Sequence, residues 1–526
     1  METDPLLSSH LRASDEGDSV EDRIELMRDF NARLVISLFI DSVPVILSYI
    51  LQNSIQTVAV LVAGRLGPNE LSAAAFSYML AFVTGECWCI ALGGTTALDT
   101  FGSQAFTGGK RASDVSIHFE RCLIVLWLLF IPVGVLWIFV KPALLALGQE
   151  ERLSSDVQSV LRVLIIGAPG YIAFESLKKY LQCQGSRHIR IKAGSLTKYT
   201  GIMRLSTFAL IIVSPINVAL NLVLVHHTSF RLLGSPLALS LTYWLAFIIL
   251  IVLTALSPQH KRNKTWGGLH LREALDISEI WRFLKLALPG ILMVGTEWAA
   301  FEIVALAAGR LGALSLAAQS VIMTTDQILN TLPFGIGVAA SARVGNLIGA
   351  RSAYGAKHAG HASALLSAIV GAIVMATMLA ARNVYGYIFS DDEEVVRLVS
   401  KVMPLVASFQ VADGLAGSCG GVLRGLGRQH IGALFNLGAY YVLALPMGIG
   451  LAFSPRTHMG LQGLWVGQVV ALFIVGIGLY LVVWRGTDWD VEVQNGIERN
   501  RADDAAKRRY EARVSAGESE VNAGEC

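Results

Sequence analysis

Long apolar runs separated by short polar segments dominate the chain from Leu34 onward. A helix needs about 20 apolar residues to cross a hydrocarbon core. Runs of that length predict twelve spans, at roughly 34–62, 71–98, 120–147, 158–181, 201–226, 235–257, 283–308, 313–341, 358–389, 395–421, 428–453 and 460–485. Gly, Pro or polar residues interrupt the second, fifth and eighth of these, which blurs their limits. The chain then divides into a tail 1–33, a first half 34–257, a linker 258–282, a second half 283–485 and a tail 486–526. Mixed charges in the last segment (Arg499, Arg501, Lys507, Arg508 and Arg509 among acids) predict a flexible, solvated tail. The expected class is an all-α integral membrane protein.

Composition agrees. Soluble domains carry about a quarter charged residues, whereas this chain is 16% charged and 53% hydrophobic, which excludes a string of soluble domains. A net charge of +2 with no basic stripe removes the case for a nucleic-acid partner. The 50 glycines show no collagen period and suit close helix–helix contacts in lipid. Six cysteines (Cys87, Cys89, Cys122, Cys183, Cys419 and Cys526) are scattered without a metal or disulfide pattern and read as small hydrophobes.

Lys and Arg fix the expected orientation. Lys110, Arg111 and Arg121, then Lys178, Lys179, Arg187, Arg190 and Lys192, Lys261, Arg262, Lys264 and Arg272, Arg343, Arg351 and Lys357, and Arg424 and Arg428 all fall at one set of span ends. The acidic run Asp391-Asp392-Glu393-Glu394 lies in the other set, so both termini are expected in the cytosol. The sequon Asn263-Lys264-Thr265 then lies on the cytosolic side and stays unglycosylated. Residues 1–33 are polar and read as a tail without a cleavable leader. Glu2-Thr3-Asp4-Pro5-Leu6-Leu7 fits an acidic dileucine sorting pattern, and the expected address is a vacuolar or plasma membrane.

The two halves repeat. Residues 43–67 align without a gap on 288–312, a shift of 245, with Pro44 on Pro289 and Ala63-Gly64-Arg65-Leu66-Gly67 on Ala308-Gly309-Arg310-Leu311-Gly312. A shift of 242 places Gln104 on Asn346 and Leu181-x-x-x-Gly185 on Leu423-x-x-x-Gly427. Six spans per half is an even number, so the repeat is parallel, with its pseudo-twofold axis along the membrane normal, as in a two-lobe transporter. At equivalent depth Gln52 and Thr57 face Glu297 and Glu302, so a neutral polar half is set against an acidic one.

Ionisable groups inside a membrane are costly and are functional candidates by default. Glu297, Glu302, Asp326 and Asp413 lie deep in spans, and no Lys or Arg is expected to pair with them there. Such carboxyls can exchange a proton for an organic cation. Glu297 and Glu302 stand about 140° apart around a helix and do not both face a cavity squarely. Gln52, Asn53, Gln56, Tyr171, Trp298 and Asn330 are candidate substrate contacts, and Phe301 and Trp88 could also stack on a cation. Asp41 reads equally as a wetted helix end or a point of substrate admission. Glu175, with Lys178 and Lys179 at i+3 and i+4, reads as a local ion pair at a cytosolic helix end. Asp99 reads as a cap or interlobe contact, and Glu86 is compatible with the cavity. No phosphate-binding GxxxxGK[ST] stretch or HExxH cluster is present, so neither a nucleotide-driven pump nor a metalloenzyme is expected, and no cofactor.

These residues resemble the eukaryotic multidrug and toxic compound extrusion (MATE) transporters over nearly all of 34–485. The resemblance rests on Ala97-Leu98-Asp99-Thr100 with Gln104, Tyr180-Leu181-Gln182-Cys183-Gln184-Gly185, Thr296 to Glu302, Ala339 to Asn346, and Gly420-Gly421-Val422-Leu423-Arg424-Gly425. It implies twelve helices in two six-helix lobes and monomeric, proton-coupled export of organic cations or metabolites, with Glu297, Glu302 and Asp413 carrying proton and cation binding. Asp413 stands where glutamate is expected in animal relatives, Asp326 is additional to the pattern, and Ser186–Ser206 is longer and more basic than the usual connection. A flippase for lipid or lipid-linked sugar is the alternative, and a membrane enzyme or receptor a minor one.

Overall fold

The computed structural model describes residues 20–84, 88–146, 148–185, 202–389 and 392–524. Cys87, Glu86, Asp391, the dileucine segment, the Trp88 side chain and most of Ser186–Ser206 lie outside what is described. Among the described residues the chain is helical throughout, without strands. Ten helices are long and apolar enough to cross a membrane. The other two crossings are broken helices.

In the first half these are α1 (Val20–Gly64), α2a (Pro68–Thr84) and α2b (Gly94–Gly108), α3 (Asp114–Ile138), α4 (Glu151–Gln182), α5 (Arg204–His226) and α6 (Gly234–Leu256). In the second they are α7 (Ile277–Arg310), α8a (Ala313–Leu329) and α8b (Thr331–Gly349), α9 (Ala353–Ala381), α10 (Glu393–Leu426), α11 (Gln429–Phe453) and α12 (Leu461–Trp484). The breaks correspond. A π-helical stretch, Trp88–Gly93, divides α2, and the shift of 242 carries residue 88 onto Asn330, where α8 divides. Local signals set several ends: Asp276 caps α7 by accepting from Ser278 N at 2.9 Å, and Asp392 caps α10 through Glu394 N at 2.9 Å. The acidic run thus starts a helix.

Two apolar cores form, one mostly from each half, with Phe283, Ala287, Val294 and Trp298 of α7 joining the first and Leu34 and Leu38 of α1 the second. On α3, Leu128, Ile131, Val135 and Phe139 form an exposed stripe while Cys122, Val125, Leu126 and Phe130 turn inward, the division expected of a helix between lipid and protein. In both lobes a polar side chain ties a later helix to the backbone of the first: Thr207 of α5 donates to Pro44 O at 2.7 Å, and Asn436 of α11 to Met293 O at 2.7 Å. With no hydrophobic driving force between helices in lipid, such bonds and close backbone approach hold the bundle. Gly421 of α10 meets Gly337 of α8b so closely that a Cβ there would overlap the Gly337 carbonyl.

Residues 486–526 correct the sequence reading. Rather than a loose tail, Trp489–Gly524 is a helix, α13, laid across both lobes. Trp489 is buried against Gly360 of α9, Glu492 pairs with Arg428 at 3.5 Å, and Arg499 donates to Gln104 Oε1 of α2b at 3.2 Å. Asp503 pairs with His118 of α3 at 3.3 Å and with Arg282 of α7 at 3.0 Å. The mixed charges that suggested solvation are this helix's docking contacts. They lie at the basic end of the bundle, where α3 and α7 begin.

Candidate functional site

The second lobe gathers acids. Asp326 near the end of α8a and Asp413 midway along α10 are buried, and Glu297 midway along α7 is half-buried. The three lie within one another's electrostatic reach. Asn330, at the break in α8, donates to Asp413 Oδ2 at 3.1 Å, and Gln410, one turn before Asp413, donates to Asp326 Oδ1 at 3.2 Å. The broken helix therefore presents both an acid and an amide to α10. From α11 the Tyr440 hydroxyl faces this group without a hydrogen bond of ordinary geometry; the π-helical stretch Leu437–Ala444 sets it there. Tyr440 and Gln410 were missed in the sequence, where one is an aromatic in an apolar run and the other a lone amide.

Glu302, further along α7, is half-buried and stands apart from this group. The 140° separation read from the sequence is reflected in that division. Trp298 packs edge-on against Phe82 of the first lobe at 5.4 Å and lies 6.3 Å from Phe301, so it fills a helix contact.

The first lobe holds a compensated network. Lys178 Nζ donates to Glu175 Oε1 at 2.6 Å and to Gln52 Oε1 at 2.8 Å, and sits 3.9 Å from the centre of the Tyr49 ring. Gln52 Nε2 in turn donates to Glu175 at 2.8 Å and to Tyr171, whose ring meets Tyr243 edge-on at 4.8 Å. Gln56 donates to the Tyr243 hydroxyl at 3.0 Å, while Asn53 is half-buried beside it. The pair Glu175–Lys178 thus forms as the i+3 spacing predicts, but both side chains are fully buried rather than at a wetted end. Lys179 is buried too, against Asp99 at 3.1 Å. The i+4 spacing assigned Lys179 to Glu175 as well, because its partner across the lobe is invisible to local spacing.

Of the motif segments, Thr296 to Glu302 carries Glu297 of the acid group; the others form the junction between the lobes at the basic end. Thr100 donates to Arg424 O at 2.5 Å, Gln104 to Gly425 O at 2.9 Å, Thr107 to Asn346 O at 2.7 Å and Asn346 to Cys183 O at 3.2 Å. Arg424 Nε lies 3.5 Å from Asp99, and Arg343 pairs with Asp41 at 3.2 Å. Span ten runs to Leu426, past the limit of 421 read from hydropathy, so its Arg424 lies inside the helix and is buried. The acids are therefore not without basic residues on their own helices: α10 carries Arg397 and Lys401 in its first turns and the buried Arg424 near its end, and α7 carries Lys285. By contrast α1 and α7, related by the repeat, do not pack along each other.

A model of the MatE family matches residues 44–194 and 289–449, one block in each half. The chain belongs to the MatE family. An uncharacterized transporter of Schizosaccharomyces pombe is 37% identical over 92% of this chain and 86% of its own length. Mouse multidrug and toxin extrusion protein 2 is 33% identical over 85% of this chain and 73% of its own. The crystal structure of a eukaryotic MATE transporter, AtDTX14, superposes with a TM-score of 0.79 at 27% identity, covering 89% of this chain and 99% of that one. MatE proteins are secondary transporters of small organic substrates rather than enzymes, with ion coupling, and the chain is a multi-pass membrane protein of that twelve-helix fold.

Proposed function

We propose that this MatE transporter exports organic cations, xenobiotics or metabolites in exchange for protons, by alternating access. The observation that carries the reading is the group Glu297, Asp326 and Asp413 around Tyr440 in one lobe, opposite a lobe in which Glu175 and Asp99 are already paired with Lys178 and Lys179. Three carboxyls so close in a low-dielectric setting do not all stay ionised unless a cation joins them. Proton and organic cation therefore compete for the same oxygens, which is the requirement of antiport. Asn330 and Gln410 hold Asp413 and Asp326 in place. Glu302 stands further along α7, where it suits the path rather than the centre. Gln52, Gln56, Tyr171 and the rim near Trp298 would complete the wall for the substrate.

The basic end is assigned to the cytosol on the Lys/Arg bias, with both termini there and a vacuolar or plasma membrane as the address. Asn263, on that side, is expected to carry no glycan; a glycan on it would reverse the assignment. Substrate uptake into proteoliposomes, with pH and sodium gradients imposed separately, tests the coupling. Uptake should follow the pH gradient and be lost in Glu297→Gln and Asp413→Asn. Gradient-independent uptake, equal in wild type and both variants, would overturn the reading, as would dependence on sodium alone.

A further inference from the structure

At the interlobe junction two cations share one anion. Lys179 Nζ lies 3.2 and 3.1 Å from the two oxygens of Asp99, and Arg424 Nε lies 3.5 Å from the same carboxylate. The three side chains are 1%, 4% and 1% exposed for Lys179, Arg424 and Asp99. Asp99 and Lys179 belong to one lobe, Arg424 to the other. Lys178, next in sequence, is already held by Glu175. One positive charge is therefore left over in the junction.

The groups facing Arg424 identify its counter-charge. From α2b there is Asp99, from α1 Tyr49, and from α7 Glu297 of the acid group. From α8b, Gly337 lies against the guanidinium and the Phe334 ring stands 5.7 Å from its carbon, neither of them charged. Tyr49 is occupied by Lys178, and at Gly420 of α10 Met293 of α7, one turn before Glu297, packs beside Arg424 Nη1, which sets Glu297 in the field of Arg424. Glu297 is in turn faced by Asp326, Asp413 and Tyr440. Two of the guanidinium nitrogens, Nε and Nη2, are buried without a hydrogen bond of ordinary geometry, with Asp99 facing Nε at 3.5 Å.

We propose that Arg424 is a positioning residue that transmits the charge of Glu297 to the cytosolic junction. With Glu297 ionised, Arg424 and Lys179 are balanced by Asp99 and Glu297 together, and the junction stays closed. Neutralising Glu297 leaves an uncompensated buried cation, a strongly destabilising arrangement, and the lobes part to hydrate it. Protonation from the far side then opens the cytosolic side, where the proton leaves. The inference rests on Glu297 being a proton site, as proposed above.

The test uses the full chain in nanodiscs with spin labels at Arg262→Cys and Lys357→Cys, two exposed positions at the basic end, the first in the linker directly after α6 of the first lobe and the second on α9 of the other. Accessible native cysteines are replaced by serine. In the parent, lowering the pH from about 8 to about 5.5 should raise the ratio of open to closed distances at least about tenfold. Glu297→Gln should be open at every pH. Arg424→Gln should be closed at every pH, because Asp99 and Lys179 then balance one to one; Arg424→Met replaces it if that variant does not fold. The double variant should be closed, and Arg424→Lys should keep the pH response. A pH response persisting in Arg424→Gln, or a double variant as open as Glu297→Gln, overturns the transmission while leaving Glu297 as the proton site. A parent distance that ignores pH overturns it too, and proton-driven uptake measured alongside then decides whether the antiport reading falls with it.

Discussion

Lys178 and Glu175 offer a direct measure of what the buried charges cost and contribute. Both side chains are fully buried at a separation of 2.6 Å, so solvent screening does not discount their interaction. Removing one partner strands the other in a low-dielectric interior, a loss of about 3–5 kcal/mol. Replacing both by neutral groups of similar volume is neutral or stabilising in comparable buried pairs. For a cooperative unit of roughly 150–250 residues, 1 kcal/mol corresponds to about 2–4 °C in melting temperature. Lys178→Met and Glu175→Gln should therefore each lower the melting temperature of the purified transporter by roughly 6–20 °C. The double variant should recover most of that loss. Intrinsic tryptophan fluorescence during heating in detergent, on all four proteins, reads the cycle. If either single variant melts with the wild type, or the double melts no higher than the worse single, the pair is not the compensated unit described here.

Two further outcomes follow from packing and from the C-terminal helix. Gly421→Ala should force α10 away from α8b, costing at least about 1–3 kcal/mol, whereas Gly438→Ala, with nothing near its added Cβ, should be silent in the same melting assay. Burial alone would favour the protonated form of Asp503, but His118, Arg282 and Arg121 outweigh it and hold the acid below the ordinary carboxylate range. Its contribution to docking is then complete above about pH 4 and lost only as pH falls further. Hydrogen exchange in α13, corrected for intrinsic rates, should show protection no lower at about pH 5 than at about pH 7.5; release at about pH 5 contradicts the assignment.

The spans, the repeat and the acids were legible because apolar length, register and buried charge are local properties of a sequence. The break in α8 was legible only as an uncertain limit: Pro333 cannot donate to Leu329 O and ends α8a there, but the sequence alone does not say whether a proline bends a helix or parts it. Lys179 and Arg424 were misread for one shared reason. A charge near the end of an apolar run looks wetted unless its partner is known, and the partner of Lys179 lies 80 residues away. Asp326 was noticed as an extra acid, but its alliance with Gln410 and Tyr440 depends on three helices meeting. The tail was misread because its charges match groups on α2b, α3 and α7 rather than one another.

The paired breaks at residue 88 and Asn330 bear on ancestry as well as on motion. If the halves descend from one duplicated unit, the interruption was already present in that unit, because it survives at the same register in both copies. Its form has since diverged: one copy widens the helix into a π stretch, and the other severs it at a side chain that now holds Asp413. Duplication has thus kept a mechanical joint in each lobe while only one of the two joints was drawn into chemistry. Bending of α8 would displace an acid's partner directly, whereas bending of α2 would act through the interlobe contacts alone.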